Sequence, residues 1–126
     1  MLQAYSTDIT VAANTAIPFN SSKLSKGCTA THPSADVFNL NKCGVYMVSV
    51  DASCSATATI QLFKDGVAQP EAQSTGGTSL SFMTLVQVDR NNSCCACSSP
   101  VSLQIMNAGT AEATFTDVNV VITKVA

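Results

Sequence analysis

The chain has 126 residues, of which only 11% are charged, with 6 Lys and Arg against 8 Asp and Glu and a formal net charge of -2. That length makes one domain and lets about two-thirds of the unfolded chain's surface be buried, enough for one core. The few basic residues (Lys23, Lys26, Lys42, Lys64, Arg90 and Lys124) are scattered, which argues against a nucleic-acid partner, and 46% hydrophobic residues at near-zero net charge argue against disorder.

Residues 1–15 have no basic start followed by an apolar run, so they read as no signal peptide but as an N-terminal arm or an edge strand. No stretch approaches 18 consecutive apolar residues, so no membrane insertion is expected. From there the chain is punctuated every 8 to 12 residues, and the segments between are rich in Val, Ile, Thr and Phe. That rhythm predicts an antiparallel sandwich or barrel. The expected strands are Ala16–Phe19, Val37–Leu40, Gly44–Ala52, Thr57–Lys64, Ser79–Asp89, Pro100–Asn107 and Glu112–Lys124. No window of 11 residues keeps helical periodicity.

Turns fall between these segments at Asn41–Gly44, Lys64–Val67 and Asn107–Thr110. Asp65-Gly66 is the strongest of these signals, because both central residues of a type I′ hairpin need φ > 0. Ser74–Thr78 reads as a flexible loop, and Arg90–Ser99 as the longest irregular stretch, closed by Pro100. Two strands are apolar on both faces. Tyr46, Val48 and Val50 alternate with Val45, Met47 and Ser49, while Val118, Val120 and Ile122 oppose Val121 and Val125. An antiparallel sheet with one wet face should alternate apolar and polar, so the second face of these strands asks for cover by another subunit.

The order IPF, VFNLNKCGVYMVSV, ATIQLFKDGVAQP, SLSFMTLVQV, SPVSLQIMNAG and ATFTDVNVVITKV resembles the tumour necrosis factor-like and complement-type jelly roll, in a small phage- or bacterium-borne stalkless form. The resemblance covers about residues 16 to 126. It rests on Gly44-Val45-Tyr46, on the Lys64-Asp65-Gly66 hairpin and on the apolar final strand Val118–Ala126. It implies an all-β, two-sheet, ten-strand jelly roll over the single domain 1–126 that forms a compact homotrimer. No Gly-x-y repeat or heptad precedes the domain, which favours a free-standing trimer. The residues expected at the trimer interface or in the core are Tyr46, Met47, Phe63, Phe82, Phe115, Val118, Val120 and Ile122.

No catalytic constellation is legible. His32 is the single histidine, in a loop with Asp36 nearby, and no G-x-S-x-G elbow, paired carboxylates or calcium loop is present. The unusual constellation is the six cysteines. Cys28 and Cys43 suit a bridge between neighbouring strand ends, and Cys94, Cys95 and Cys97 suit a disulfide, free thiols or a metal. No cofactor is expected. The Ser-, Thr- and Asn-rich stretches Gln73–Thr78 and Asn91–Ser99 offer hydroxyls and amides to a glycan.

The leading expectation is therefore a non-enzymatic structural protein on a bacteriophage virion surface (head decoration, head fibre or tail component), assembled in the host cytoplasm. It would bind itself, capsid or other virion proteins and a host-surface glycan. The alternative is a bacterial complement-like or lectin-like trimer that recognises a glycan or protein.

Overall fold

The structure is a computed structural model that describes residues 1–27, 29–88 and 101–126. Those residues form nine strands and no helix: β1 (Leu2–Val11), β2 (Thr15–Ala16), β3 (Ser21–Ser25), β4 (Ala30–Ser34), β5 (Val37–Leu40), β6 (Gly44–Lys64), β7 (Val67–Val88), β8 (Val101–Asn107) and β9 (Ala113–Lys124). Every pairing among them is antiparallel.

Two long strands carry the chain from one sheet to the other. The first half of β6 pairs with β9, and its second half with β8. β7 follows β6 along both halves, with register irregularities between Ser53 and Thr59 where the pair bends. The first sheet is thus ordered β3-β1-β9-β6-β7 and the second β7-β6-β8-β5-β4, with β2 beside β5 on β8. The result is a barrel-like jelly-roll sandwich. The expected strand Ser79–Asp89, as far as Val88, and the loop Ser74–Thr78 both lie within β7, so the loop expectation is corrected; Asp89 lies outside the described residues. Alternation explains this: Ala72, Leu80, Val86 and Val88 are buried on one face, and the run between them has no charge to break it.

The N-terminal segment also differs from expectation. Leu2 to Tyr5 are bonded on both sides, to β3 and to β9, so this half of β1 is neither an arm nor an edge. Ile9 to Val11 pair with β9 only. The expected strand Ala16–Phe19 stops at Ala16, yet Ile17 and Phe19 are fully buried. Their amides are satisfied by Ile105 O and Ala35 O at 2.7 Å, an anchored bend rather than a ladder.

Between the sheets lies one cluster of side chains, its largest members Tyr46, Phe19, Phe38 and Phe115, with Leu40, Ile60, Leu62, Leu103 and Ile105. Phe19 and Phe38 meet edge to face with centroids 5.3 Å apart. Two buried polar side chains tie the loops to this cluster. Asn107 donates through Nδ2 to the carbonyls of Val11, Ala12 and Ala111 and accepts from Gly109 N. Ser6 Oγ donates to Pro18 O and accepts from Asn20 N, both at 2.7 Å. No buried side-chain nitrogen or oxygen among the described residues lacks a partner.

The Asp65-Gly66 hairpin forms as expected, with φ of 51° and 81°. Asp65 Oδ1 also accepts from Ser102 N at 2.9 Å, which pins the turn to β8. The Gly44-Val45-Tyr46 motif has two separate physical reasons. Gly44 sits at φ 141°, where a Cβ would lie 2.5 Å from the Ala126 carbonyl oxygen. Tyr46 is wholly buried, and its hydroxyl reaches Lys42 O at 2.7 Å and Thr29 O at 3.2 Å.

Candidate interaction face

The outer face of the first sheet is built from cross-strand rows. Met47 stands between Leu85 on β7 and Thr123 on β9. In the next row Met83, Ser49 and Val121 are neighbours, and Gln3 follows on β1. Met83 and Leu85 are 66% and 64% exposed, large values for apolar side chains at the middle of a strand. Val45, Met47 and Val121 are half-buried beside them. The row beyond turns polar with Ser81, Asp51, Asn119 and Tyr5. Contiguous exposed apolar surface rimmed by polar groups marks an interaction site more often than scattered exposed residues do.

The outer face of the second sheet has a different chemistry. Its rows read Gln73, Gln61 and Met106, then Ala68, Phe63 and Gln104, then Asn39 and Ser102. Phe63 and Met106 are half-buried among these amides and hydroxyls. This face is already suited to water.

The residues expected at an interface or in the core are divided by the structure. Tyr46, Phe115, Val118, Val120 and Ile122 are fully buried between the sheets. Phe82 faces the same way and packs against the cluster from the rim. Phe63 lies outward on the second sheet, away from the others. Met47 alone of the eight belongs to the apolar outer face. The sequence reading missed its neighbours Met83 and Leu85, although they sit in an uncharged run, Ala72 to Val88, where their parity was available.

Cys43 is disulfide-bonded. Cys28, Cys94, Cys95 and Cys97 lie outside the described residues, as does the stretch Asn91–Ser99 considered for glycan contact. Cys54 is a free thiol on the inner side of β6, and desolvation by burial raises its pKa, which keeps it protonated and unreactive. No group of His, Cys, Asp and Glu among the described residues is arranged to hold a metal ion. His32 is stacked on Phe38 at 4.4 Å and 18°. Its Nε2 donates to Ala35 O at 3.0 Å, and Ser22 Oγ lies 3.4 Å from Nδ1. A ring, a carbonyl and a hydroxyl are the surroundings of a structural histidine. Asp36 is engaged locally by the Ser34 hydroxyl.

Among the described residues, open cavities on the surface include the following two. One, of about 320 Å³, lies where β6 and β7 bend and is walled by Thr57, Thr59, Thr75, Gly76, Gly109 and Thr110. It is uncharged, and it takes in part of the stretch Gln73–Thr78. The other, of about 360 Å³, is on the outer face of the first sheet and is lined by Gln3, Tyr5, Lys23 and Asn119. There Gln3 Nε2 donates to Asn119 Oδ1 at 3.0 Å.

No protein-family model matches the chain, and no curated protein is significantly similar to it. Solved structures do match, and they define the class of fold. PRD1 vertex protein P5 superposes over 99% of this chain and 96% of its own, with a TM-score of 0.63 at 13% identity. Rabbit GITRL covers 100% and 95%, with a TM-score of 0.63 at 11% identity. The globular domain of zebrafish complement 1qA protein covers 95% and 94%, with a TM-score of 0.65 at 13% identity. The chain therefore has the jelly-roll fold shared by tumour necrosis factor-like and complement-type proteins. At these identities the likeness extends to the fold alone.

Proposed function

We propose that this protein is a non-enzymatic structural or binding module that works as a homotrimer on the surface of a bacteriophage particle. The observation that carries the reading is the apolar outer face of the first sheet, with Met83 and Leu85 about two-thirds exposed beside Met47, Val45 and Val121. A face of this kind on a chain with 11% charged residues lowers its free energy by meeting another subunit. About 800 Å² per partner is ordinary for a specific interface, and one sheet face supplies area of that order. The neighbouring strand β7 pairs only with β6 among the described residues, so assembly also shields an edge that carries no charge from Ser79 to Val88. The compact trimer is what the family resemblance implies. The particle surface is supported by the whole-chain likeness to a vertex protein of phage PRD1. The work assigned there is stabilisation of the particle or adhesion to the host surface, through contacts with capsid or other virion proteins.

A bacterial complement-like binding trimer is the second reading, favoured by the equally complete superposition on the complement 1qA globular domain. The mass of the native protein in dilute solution tests the assembly both readings share. A threefold multiple of 13.0 kDa at micromolar concentration is expected, and a stable monomer would sink it. Localisation on purified virions by labelled antibody then separates the two. Label on the particle supports the first reading, and its absence from particles of the producing phage removes it.

A further inference from the structure

We propose that the crevice where β6 and β7 bend against the turn between β8 and β9 binds the terminal ring of a neutral saccharide. This deepens the adhesion reading above by naming the ligand class, and it rests on that reading only for its biological purpose.

Three segments build the crevice, and the chain's own bonds hold them. Thr57 and Thr59 come from β6, Thr75 and Gly76 from β7, and Gly109 and Thr110 from the turn. The β6–β7 ladder is interrupted between Ser53 and Ala58, and on the opposite strand Gly76 takes up φ 81°. Ala108 N donates to Thr59 O at 3.0 Å, which docks the turn on β6. The buried Asn107 side chain fastens the turn from within. It accepts from Gly109 N and donates to Ala111 O, both at 3.2 Å. Ala58 is buried and closes the crevice toward the core.

The lining selects the ligand. Among the described residues it has no charged side chain, no aromatic ring and no large apolar group, and it offers four hydroxyls. Those of Thr57 and Thr110 are exposed and have no hydrogen-bond partner among the described residues. Those of Thr59 and Thr75 bond to each other, which leaves the pair one O–H hydrogen and several lone pairs for a ligand. Hydroxyls that both donate and accept match those of a sugar ring, while the threonine methyls and Ala58 meet its C–H groups. An anion finds no cation here to replace its hydration, and a peptide finds no pocket for a large side chain. About 320 Å³ is at the small end of ligand sites, which suits one ring. The next outward pair on the second sheet is Gln61 and Gln73. Their amide nitrogens donate to Gln69 O and Pro70 O, so the amide oxygens are left to accept from a following sugar unit.

The crevice stays open in the proposed assembly. The subunit contact lies on the outer face of the first sheet, where the apolar row nearest the bend is Met83, Ser49 and Val121. Ser49 stands four residues before the bend begins at Ser53, about 13 Å of strand. Thr59 and Thr75 lie beyond the bend, on the outer side of the second sheet. The lining also takes nothing from the β7 edge between Ser79 and Val88.

The test applies the full chain to an array of oligosaccharides ending in neutral hexoses or N-acetylhexosamines, printed beside uronate, sialate and sulfate counterparts. Hits are titrated in solution at low and high salt. Neutral termini should bind, and their charged counterparts about tenfold or more weakly. Affinity should be equal at both salt concentrations, since screening acts on charge. Thr57→Val with Thr110→Val keeps the shape, removes two hydroxyls and should weaken binding about tenfold or more. Ala111→Trp fills the mouth and should abolish binding. All three positions are exposed, so circular dichroism of both variants should keep the parent β signature. Binding of no neutral terminus, preference for the charged ones, or full binding by either variant overturns the site. Sedimentation of the same samples keeps the assembly question apart. A monomer that binds neutral termini retains the site and removes the trimer, and a trimer that binds none does the reverse. Dissociation of the trimer by Ala111→Trp would make the crevice a subunit contact and overturn the proposal.

Discussion

The outer faces of the two sheets share two strands, β6 and β7, yet they differ in chemistry. On the first sheet β6 and β7 present Val45, Met47, Met83 and Leu85, and on the second they present Gln61, Phe63 and Gln73. The inward residues of both halves of β6 are apolar, from Tyr46, Val48 and Val50 to Ile60 and Leu62. Core formation thus places the same demand on both halves, and it does not account for what each half shows outside. Glutamines on one outer face are compatible with permanent contact with water. Methionine and leucine on the other are costly in water, and nothing in the monomer's own packing requires them there. The difference is the ground for proposing the first sheet as the one that another subunit covers.

Four variants would break or sharpen this contrast. The largest effect is expected from Val120→Asp, on the inner side of the first sheet. Val120 is fully buried between Val50 and Ala4, so a carboxylate there has no partner and costs several kcal/mol. The chain should fail to give a cooperative melt. Retention of the parent melting temperature would mean that the inner face is not the core.

Next in size is the pair Met83→Asp and Leu85→Asp, on the opposite side of the same sheet. Both side chains are mostly exposed in the single chain. Far-UV circular dichroism should therefore keep its β signature while the native mass falls to about one-third. An unchanged mass would show that this face is not the subunit contact. Unfolding would show that the two faces are not independent.

Asn107→Ala probes how the loops are fastened to the second sheet. It takes the Asn107 donor from the carbonyls of Val11, Ala12 and Ala111, of which Ala12 O keeps the Thr15 hydroxyl, and opens a small void. A loss of about 2 kcal/mol in chemical denaturation is expected, with assembly retained. A loss below about 0.5 kcal/mol would mean that water replaces the amide without cost.

The smallest effect should come from Gln61→Lys with Gln104→Lys on the outer face of the second sheet. Exposed substitutions of this kind usually stay within about 0.5 kcal/mol. Native mass and melting should match the parent. A drop in mass would assign the subunit contact to the wrong sheet in the present reading.

Much of this architecture was legible locally. The hairpin at Asp65-Gly66 was readable because its dihedral requirement is met by two adjacent residues. Val37–Leu40 was placed to the residue, and Tyr46, Val48, Val50, Val118, Val120 and Ile122 were marked by two-residue periodicity. The interior half of β1 was missed because its inward residues are Leu2, Ala4 and Ser6. Two of these are too small or polar to signal burial, and Ser6 is buried only because Pro18 and Asn20 take its hydroxyl.

The candidate surfaces were less legible, for a definite reason. Met47 and Leu85 are 38 positions apart, and Tyr5 and Asn119 are at opposite ends of the chain. Periodicity determines which residues of a strand share a face, and it did so here for each strand taken alone. Which strands lie side by side, and in what register, depends on core packing and turn geometry summed over the whole sandwich. The sequence by itself therefore determined an all-β chain with strands apolar on both sides. Only the tertiary structure decided that Met47, Met83 and Leu85 form one uncovered face, and that Tyr5, Lys23 and Asn119 meet around one cavity.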